Sequence, residues 1–260
     1  MSDERMNSLL SIALNVVGGI ATIWITWIYA WICRRLKRRA LKAIFGEDVF
    51  RPGGFSLVYA VFALDPILDK QGKLVSHPFK KPAIPSVGVS IAEPVSGCEL
   101  RATKYLAEKL GQASGTNVSI TSDTDAAAKL DLSFISLGGL TNLKTRDALE
   151  NDANRLVKME FECIASLKSN KTFSPSDPAF DYGLILKVFP VQFPKRTWLV
   201  CAGIGEWGTS GAAYYLAHKF RHIFNVASGK AFAVIVKVRK GQDESATPVE
   251  WLGVPPWKIP

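Results

Sequence analysis

Hydrophobic residues form one long stretch near the start of the chain and several shorter runs after it. The long stretch extends from Leu9 to Cys33 and contains no charged side chain. Its 25 residues, at about 1.5 Å each in a helix, are more than enough to cross a hydrocarbon core of about 30 Å. The pattern therefore predicts a transmembrane helix at 9–33, preceded by a short extracytoplasmic segment at 1–8.

A cleavable signal peptide is the competing interpretation of this stretch. A signal peptide begins with a basic segment, whereas here Arg5 is accompanied by Asp3 and Glu4. The stretch is also long for a signal sequence, and no small-residue cleavage site precedes the cations that follow it. The flanks therefore favour a retained membrane span.

Six cations directly follow the apolar stretch and indicate its orientation. They are Arg34, Arg35, Lys37, Arg38, Arg39 and Lys42. The positive-inside rule places them, with everything after them, in the cytoplasm and the N-terminus outside. We predict a basic juxtamembrane region at 34–50 that is helical at its start and contacts membrane lipid. The helix is expected to end at Gly46.

Small and polar residues recur at spacings of three and four within the predicted span. The set is Ser11, Asn15, Gly18 or Gly19, Thr22, Thr26 and Ala30. Such a stripe lets helices approach closely and hydrogen-bond to each other, which predicts a homo-oligomer formed through the span. The alternative is a lone helix whose small residues are incidental.

The remainder alternates between strand-like and helix-like patterns. Strands are predicted at 55–64, 87–91, 118–121, 132–137, 181–188, 197–202 and 231–238, and helices at 96–110, 145–157 and 209–224. Several strands are apolar on both faces, which is typical of a parallel sheet covered by helices. We predict a cytosolic α/β domain at 51–240, three-layered and Rossmann-like, with a mainly parallel sheet and an antiparallel hairpin at 181–202. Residues 65–86 are predicted to be a loop, and 241–260 an irregular tail containing Trp251 and Trp257.

Composition narrows the partners only slightly. The net charge of +9 suits an anionic partner such as lipid headgroups or a nucleotide, although an ordinary solvated surface has the same balance. Nucleic acid is not favoured, because no helix-turn-helix, zinc finger or aromatic RNA-binding set is present. The four cysteines show no spacing typical of a zinc site or a disulfide framework.

A glycine-rich loop follows the predicted strand at 197–202 and is the strongest candidate for a ligand site. Residues 203–208 match the pattern G-x-G-x-x-G between a strand and a helix. Glycines there let a phosphate approach the backbone, and the helix N-terminus offers N–H groups. The candidate residues are Gly203, Gly205, Glu206, Trp207, Gly208, Thr209 and Ser210.

This strand–loop–helix–strand unit resembles the dinucleotide-binding fold over about 45 residues, but it departs from that fold's pattern. The next strand ends at Arg239 and Lys240, where an NAD site has an acidic residue. Glu206 would repel a phosphate unless it points away or binds a ribose hydroxyl. The alternative to an anion site is a tight turn whose glycines allow close packing, and no dehydrogenase activity is implied.

Two further polar loops are expected at the same edge of the sheet. One contains Gly138, Gly139 and Asn142, with Arg146 in the next helix, and the other contains Ser96. For Asn142 and Ser96, helix capping is the alternative to ligand binding, and Glu99 would complete a capping box with Ser96. If the three loops meet at one edge, they would form a single site.

The sequence supports no defined catalytic centre. His218 and His222 share a helix face without a third ligand, and no Walker lysine or nucleophile elbow is present. We expect a membrane-anchored sensor or effector that binds a nucleotide-like or other small anionic ligand, with signalling through association of the span. In layout this plan resembles the transmembrane effectors of bacterial nucleotide-signalling defence systems. The alternatives are a membrane-tethered enzyme using Glu206 or Asp181 on a nucleotide or sugar-nucleotide, and a scaffold that recruits a protein through the tail.

Overall fold

The protein is described by a computed structural model that covers residues 3–62, 67–68, 74–75, 94–115 and 118–255. Side chains are described for these residues except 3–18, 21, 67–68, 74–75 and 114. The predicted strand at 87–91, most of the predicted loop at 65–86 and Trp257 lie outside the described residues. The chain forms two units, Met1–Ala40 and Leu41–Pro260.

Five α-helices are present in the described residues: α1 Asp3–Phe45, α2 Gly97–Ser114, α3 Asp123–Ala127, α4 Leu143–Glu150 and α5 Glu206–Ala227. A 3₁₀ helix at Glu47–Phe50 follows α1. The strands are β1 Phe55–Tyr59, β2 Ile67–Leu68, β3 Leu74–Val75, β4 Ser119–Ser122, β5 Ser133–Leu137, β6 Val157–Met159, β7 Ile164–Ser166, β8 Thr172–Phe173, β9 Phe180–Val188, β10 Trp198–Gly203, β11 Phe232–Arg239 and β12 Gln242–Leu252.

The first unit is helical and carries large apolar side chains in solvent. Ile23, Trp24, Ile25, Trp27 and Tyr29 are each 59–70% exposed. Within the described part of the chain, no helix combines the length and the hydrophobicity needed to cross a membrane. The structure therefore does not support the transmembrane helix at 9–33, which stays a prediction from the sequence.

The second unit is built on a seven-stranded sheet with the order β4–β1–β5–β10–β9–β11–β12. The pairs β4–β1, β1–β5 and β5–β10 are parallel, and the remaining three pairs are antiparallel. Five strands consequently point the same way, with β9 and β12 reversed. This confirms the α/β class and the mostly parallel sheet, and β9 with β10 forms the predicted hairpin.

Helices cover both faces of this sheet. One core cluster joins Ala126 of α3 and Ala148 of α4 to alternate strand residues such as Val58, Leu184 and Val200. On the other face α2 packs against α5, and α5 packs along β9, β10, β11 and β12. Alternate strand residues point to opposite faces, so each apolar strand is buried on both sides.

The end of α1 belongs to the core of the second unit. Leu41, Ile44 and Phe45 are at most 1% exposed, and Gly46, with φ +87°, ends the helix as the sequence predicts. The Lys187 ammonium donates to the Ala43 carbonyl and, at 2.9 Å, to the Gly229 carbonyl. Burial lowers the pKa of Lys187 to about 7.

Two predicted elements differ from the structure. Residues predicted to continue α4 to Val157 leave the helix after Glu150, because the Asn151 and Asn154 side chains bond nearby backbone groups instead. The predicted irregular tail contains β12, an 11-residue edge strand. Its register shifts beside Pro248, a residue that an edge strand accommodates at a bulge.

Candidate functional site

A cleft of about 250 Å³ lies at the carboxyl ends of β1, β5 and β10. The chain leaves β1 towards α2 on one face and leaves β5 towards α4 on the other, so the two connections diverge and open a crevice. Such a switch point is where open α/β sheets bind ligands. We call this site the strand-end cleft.

The three loops predicted to share an edge do meet at the strand-end cleft. Seven of the twelve predicted site residues line it: Ser96, Gly138, Gly139, Gly203, Gly205, Glu206 and Thr209. The other five, Asn142, Arg146, Trp207, Gly208 and Ser210, are not among the lining residues. The juxtaposition follows from strand order, because parallel neighbours bring their carboxyl ends together.

A buried carboxylate occupies the backbone donors of the glycine-rich loop. Asp181, 1% exposed, accepts hydrogen bonds from the Gly205 N–H at 3.1 Å and the Gly208 N–H at 2.7 Å. It also accepts from the Tyr182 N–H at 2.8 Å. An internal anion therefore holds the position at the start of α5 where a phosphate was predicted.

The glycines of this loop also allow close packing of backbone on backbone. A Cβ at Gly208 would overlap the Tyr182 carbonyl oxygen, and a Cβ at Gly183 would overlap the Gly208 carbonyl oxygen. Close approach of β9 to the start of α5 thus explains why Gly208 carries no side chain. This matches the packing alternative for the G-x-G-x-x-G pattern.

Glu99 forms part of the floor of the strand-end cleft and is 2% exposed. Its Oε2 accepts a hydrogen bond from the Ala60 N–H at 2.7 Å, just after β1. Burial raises the pKa of the Glu99 carboxyl to about 8, with a smaller contribution from the nearby Asp123 carboxylate and an opposing one from the Ala60 N–H. A neutral carboxylic acid is therefore the main form at pH 7.

The capping residues have clear structural roles. Asn142 is fully buried, accepts from the Lys144 and Thr145 N–H groups, and donates to the Val58 and Leu137 carbonyls. The Ser96 hydroxyl accepts from the Cys98 N–H at 3.4 Å and caps α2. The capping alternative therefore describes Asn142 fully, whereas Ser96 both caps and lines the cleft.

Trp207 and Ser210 take part in a polar network on the side of α5 that faces α2 and β12. The Arg101 guanidinium lies 4.2 Å from the Trp207 ring centroid and pairs with the buried Asp243 carboxylate at 3.2 Å. Ser210 also donates to Asp243, as does Tyr105 at 3.0 Å. The indole of Trp207, one of the candidate ligand-binding residues, is therefore in contact with Arg101.

The lining of the strand-end cleft is apolar and acidic. Phe62, Leu140, Met159, Phe161 and Ile204 contribute apolar walls, and Phe161 is 77% exposed at the turn between β6 and β7. Three carboxyl groups line it, those of Glu99, Glu160 and Glu206. No lysine or arginine among the described residues does so, which disfavours a phosphate inside the cleft.

His218 and His222 take part in aromatic contacts. His218 stacks on Tyr214 with ring centroids 4.0 Å apart, and His222 meets the Trp251 ring edge-on at 5.7 Å. Trp251 is 8% exposed within β12, so it is not the free docking residue that the scaffold hypothesis required. Within the described part of the chain, no group of His, Cys, Asp and Glu is arranged to hold a metal ion.

Two features of the strand-end cleft escaped the sequence analysis. Glu99 was assigned to a capping box, but its carboxyl bonds to Ala60, which lies 39 positions earlier. The hairpin of β6 and β7, which brings Met159, Glu160 and Phe161 to the cleft, was not predicted from the sequence. The only sequence signal for this role of Glu99 was its position as an acidic residue in the first turn of α2.

Comparison with known proteins assigns no relationship. No family model matches the chain, and a search of curated proteins finds no similar sequence. A functional proposal for this protein therefore depends on its own sequence and structure.

Proposed function

We propose that the protein binds a nucleotide-like small molecule in the strand-end cleft and holds it mainly through its base and sugar. The observation that carries this proposal is the cleft itself. Apolar walls, a buried carboxyl group and two rim carboxylates meet there at the switch point of an α/β sheet. Ligand sites commonly combine apolar walls with a few convergent polar groups.

The polar groups favour hydroxyl and amide partners over phosphate. The Glu206 carboxylate accepts hydrogen bonds and repels anions, so it suits sugar hydroxyls or an exocyclic amine. Glu160 also offers acceptor oxygens, although Lys158 pairs with it at 2.8 Å. The Gly205 and Gly208 N–H groups already donate to Asp181. We therefore expect any phosphate of the ligand to remain outside the cleft.

Size and wall chemistry agree with a nucleoside. At about 250 Å³, the cleft is slightly smaller than typical drug-sized sites of about 300–1,000 Å³, which disfavours a complete dinucleotide. Phe62 and Phe161 both line the cleft. Aromatic side chains bind nucleobases by stacking, worth about 1–3 kcal/mol per base.

Binding of ribonucleosides tests this proposal. Isothermal titration of the full chain with adenosine, cytidine, AMP and CMP is expected to give tighter binding of at least one nucleoside than of its 5′-monophosphate. Repulsion of about 1 kcal/mol between a rim carboxylate and the phosphate corresponds to about fivefold in affinity. In Glu206→Gln, the ratio of nucleoside affinity to monophosphate affinity should fall towards one.

Glu108→Gln is the matched control, because Glu108 is exposed on α2 and does not line the cleft. It should leave every affinity unchanged. The proposal is wrong if a folded wild-type chain binds none of the four compounds, or if the monophosphates bind tighter and Glu206→Gln changes nothing. New resonances in NMR spectra of the mixtures would favour the enzyme alternative, for which Glu99 is the best-placed acid.

We further propose that residues 9–33 anchor the chain in a membrane and that the cleft lies on the cytoplasmic side. What supports this is the uncharged stretch itself and the large apolar side chains of α1 that lie in solvent between Ile20 and Ile32. Exposed apolar surface of this extent marks contact with lipid or protein. The six cations after Cys33 support the orientation.

Fractionation and protease protection of cells that express the full chain test the anchor. We expect the protein in the membrane pellet after a carbonate wash, with its C-terminal domain resistant to protease until the cells are permeabilised. Ile23→Lys with Ile25→Lys should shift the protein to the supernatant, since each cation costs about 3 kcal/mol at a span centre. A wild-type protein in the supernatant, or digestion of the domain in intact cells, would contradict the anchor or its orientation respectively.

A further inference from the structure

Glu99 has one carboxyl oxygen that bonds to the backbone and another that lies beside a glycine of the strand-end cleft. Oε2 accepts from the Ala60 N–H at 2.7 Å. Oε1 lies against Gly138, which also lines the cleft. At Gly138, φ is +109°, and a Cβ built on it would overlap Oε1. Glycine at this position therefore makes room for Oε1 beside the lining of the cleft.

The groups around Glu99 favour its uncharged form. The Asp123 carboxylate on α3 raises the pKa of Glu99. Glu206 on α5 and Glu160, which pairs with Lys158 at 2.8 Å, also line the cleft. On α2 itself, Cys98 is a buried thiol, and the Arg101 guanidinium is engaged by Asp243, Ser210 and Trp207. The loop after β5 adds no titratable lining residue.

No cation among the described residues bonds to the Glu99 carboxyl, and this shapes its hydrogen bonding. A buried carboxyl group with no cationic partner and a single N–H donor favours its protonated form, whereas Asp181 is stabilised as an anion by three N–H donors. Because Oε2 is the acceptor for the Ala60 N–H, the proton is placed on Oε1, the oxygen beside Gly138. A protonated carboxyl donates one hydrogen bond, which an ionised one cannot do.

We propose that Glu99 recognises the ligand as an uncharged carboxylic acid, donating a hydrogen bond from Oε1 to an acceptor atom of the nucleobase. This inference rests on the proposed function and makes Glu99 a specificity-determining residue of the same cleft. Suitable acceptors are an unprotonated ring nitrogen or an exocyclic carbonyl oxygen. Adenosine and cytidine carry such atoms, and neither base changes protonation between pH 6.5 and 9.0.

The proposal predicts an affinity that falls as pH rises. The pKa of Glu99 is raised to about 8, so about one molecule in ten retains the proton at pH 9. The wild-type affinity for the bound nucleoside should therefore fall about tenfold between pH 6.5 and pH 9.0. The deprotonated form offers only acceptors to the same ligand atom.

Titration of the full chain with adenosine and cytidine tests whether Glu99 donates this hydrogen bond. Two variants of Glu99 and one control are compared with wild type. Glu99→Gln keeps an acceptor for Ala60 and gains a permanent N–H donor. It should bind about as tightly as wild type does at pH 6.5, and its affinity should be the same at pH 9.0. Glu99→Met has no donor and should bind weakly at both pH values. Glu108→Gln should reproduce the wild-type pH profile, and circular dichroism establishes folding of each variant.

The outcomes separate this inference from the proposed function. Binding by wild type that is unchanged or tighter at pH 9.0 would overturn the donor role of Glu99 and leave the nucleoside site standing. A folded Glu99→Gln that binds as weakly as Glu99→Met would also overturn the donor role, because an N–H donor at this position would then not support binding. Absence of binding by folded wild type at both pH values removes both proposals.

Discussion

Replacing Asp181 by alanine is expected to lower the free energy of unfolding by about 3–5 kcal/mol. Asp181 accepts three backbone N–H groups, at 2.7–3.1 Å, and two of them belong to the glycine-rich loop. Alanine removes the carboxylate that accepts all three bonds. The buried Gly208 N–H then loses its acceptor. Chemical denaturation of the full chain measures the loss.

Two further variants show whether the three bonds cause this effect. Asp181→Asn retains one acceptor oxygen and should lose less stability than alanine. Asp177→Ala removes an exposed carboxylate that accepts one N–H, from Ala179 at 2.9 Å, and should cost about 1 kcal/mol or less. Formate should raise the Tm of Asp181→Ala but not that of wild type, because it supplies the missing carboxylate. An Asp181→Ala protein as stable as wild type would refute this account of the loop.

Glu99→Gln is expected to make the protein more stable than wild type at alkaline pH. Folding raises the pKa of Glu99 from 4.5 to about 8, so between these values the folded state holds more protons than the unfolded state. The free energy of unfolding of wild type therefore falls as pH rises through this window, whereas glutamine does not titrate. From pH 5.5 to 8.5 the difference between the two proteins should change by on the order of 3 kcal/mol.

Urea denaturation of both proteins at intervals from pH 5.5 to 8.5 gives this difference directly. Other groups titrate in both proteins and cancel in the comparison. Glu108→Gln should run parallel to wild type over the whole range, because Glu108 is exposed. A difference that stays constant, or that changes in favour of wild type as pH rises, would show that Glu99 is ionised in the folded state.

Local signals predicted much of the fold. Apolar runs located β1, β5, β9, β10 and β11, and Gly46 and Ser96 correctly marked a helix end and a helix start. The meeting of the three loops was also predictable, because it follows from the alternation of strands and helices. These features depend on neighbouring residues or on general rules of sheet topology.

The occupancy of the glycine-rich loop was not predictable in the same way. The pattern at 203–208 fits a phosphate site and a packed turn equally well. What distinguishes them is Asp181, which lies 24 positions earlier on the neighbouring antiparallel strand. Glu99 poses the same difficulty, since its partner Ala60 follows β1 and lies 39 positions earlier in the chain. Polar pairs of this kind leave no periodic signal in the sequence.

Weak strand signals explain the remaining differences. β12 contains Pro248 and several charged residues, as exposed edge strands often do, so its pattern is typical of a loop. The hairpin of β6 and β7 is built from strands of three residues each. Such strands are too short for alternation to be recognised.

The last turn of α1 determines where the chain can be shortened. Leu41, Ile44 and Phe45 are buried in the core of the second unit. In the 3₁₀ helix that follows, the Asp48 carboxylate binds Ser133 at 2.6 Å and Arg196 at 3.0 Å. A fragment that starts at Arg51 would leave a hydrophobic cavity and would remove the Asp48 bonds to Ser133 and Arg196, although 51 is where the sequence alone places the domain boundary. A soluble fragment for crystallisation or titration should retain this turn and begin before Leu41.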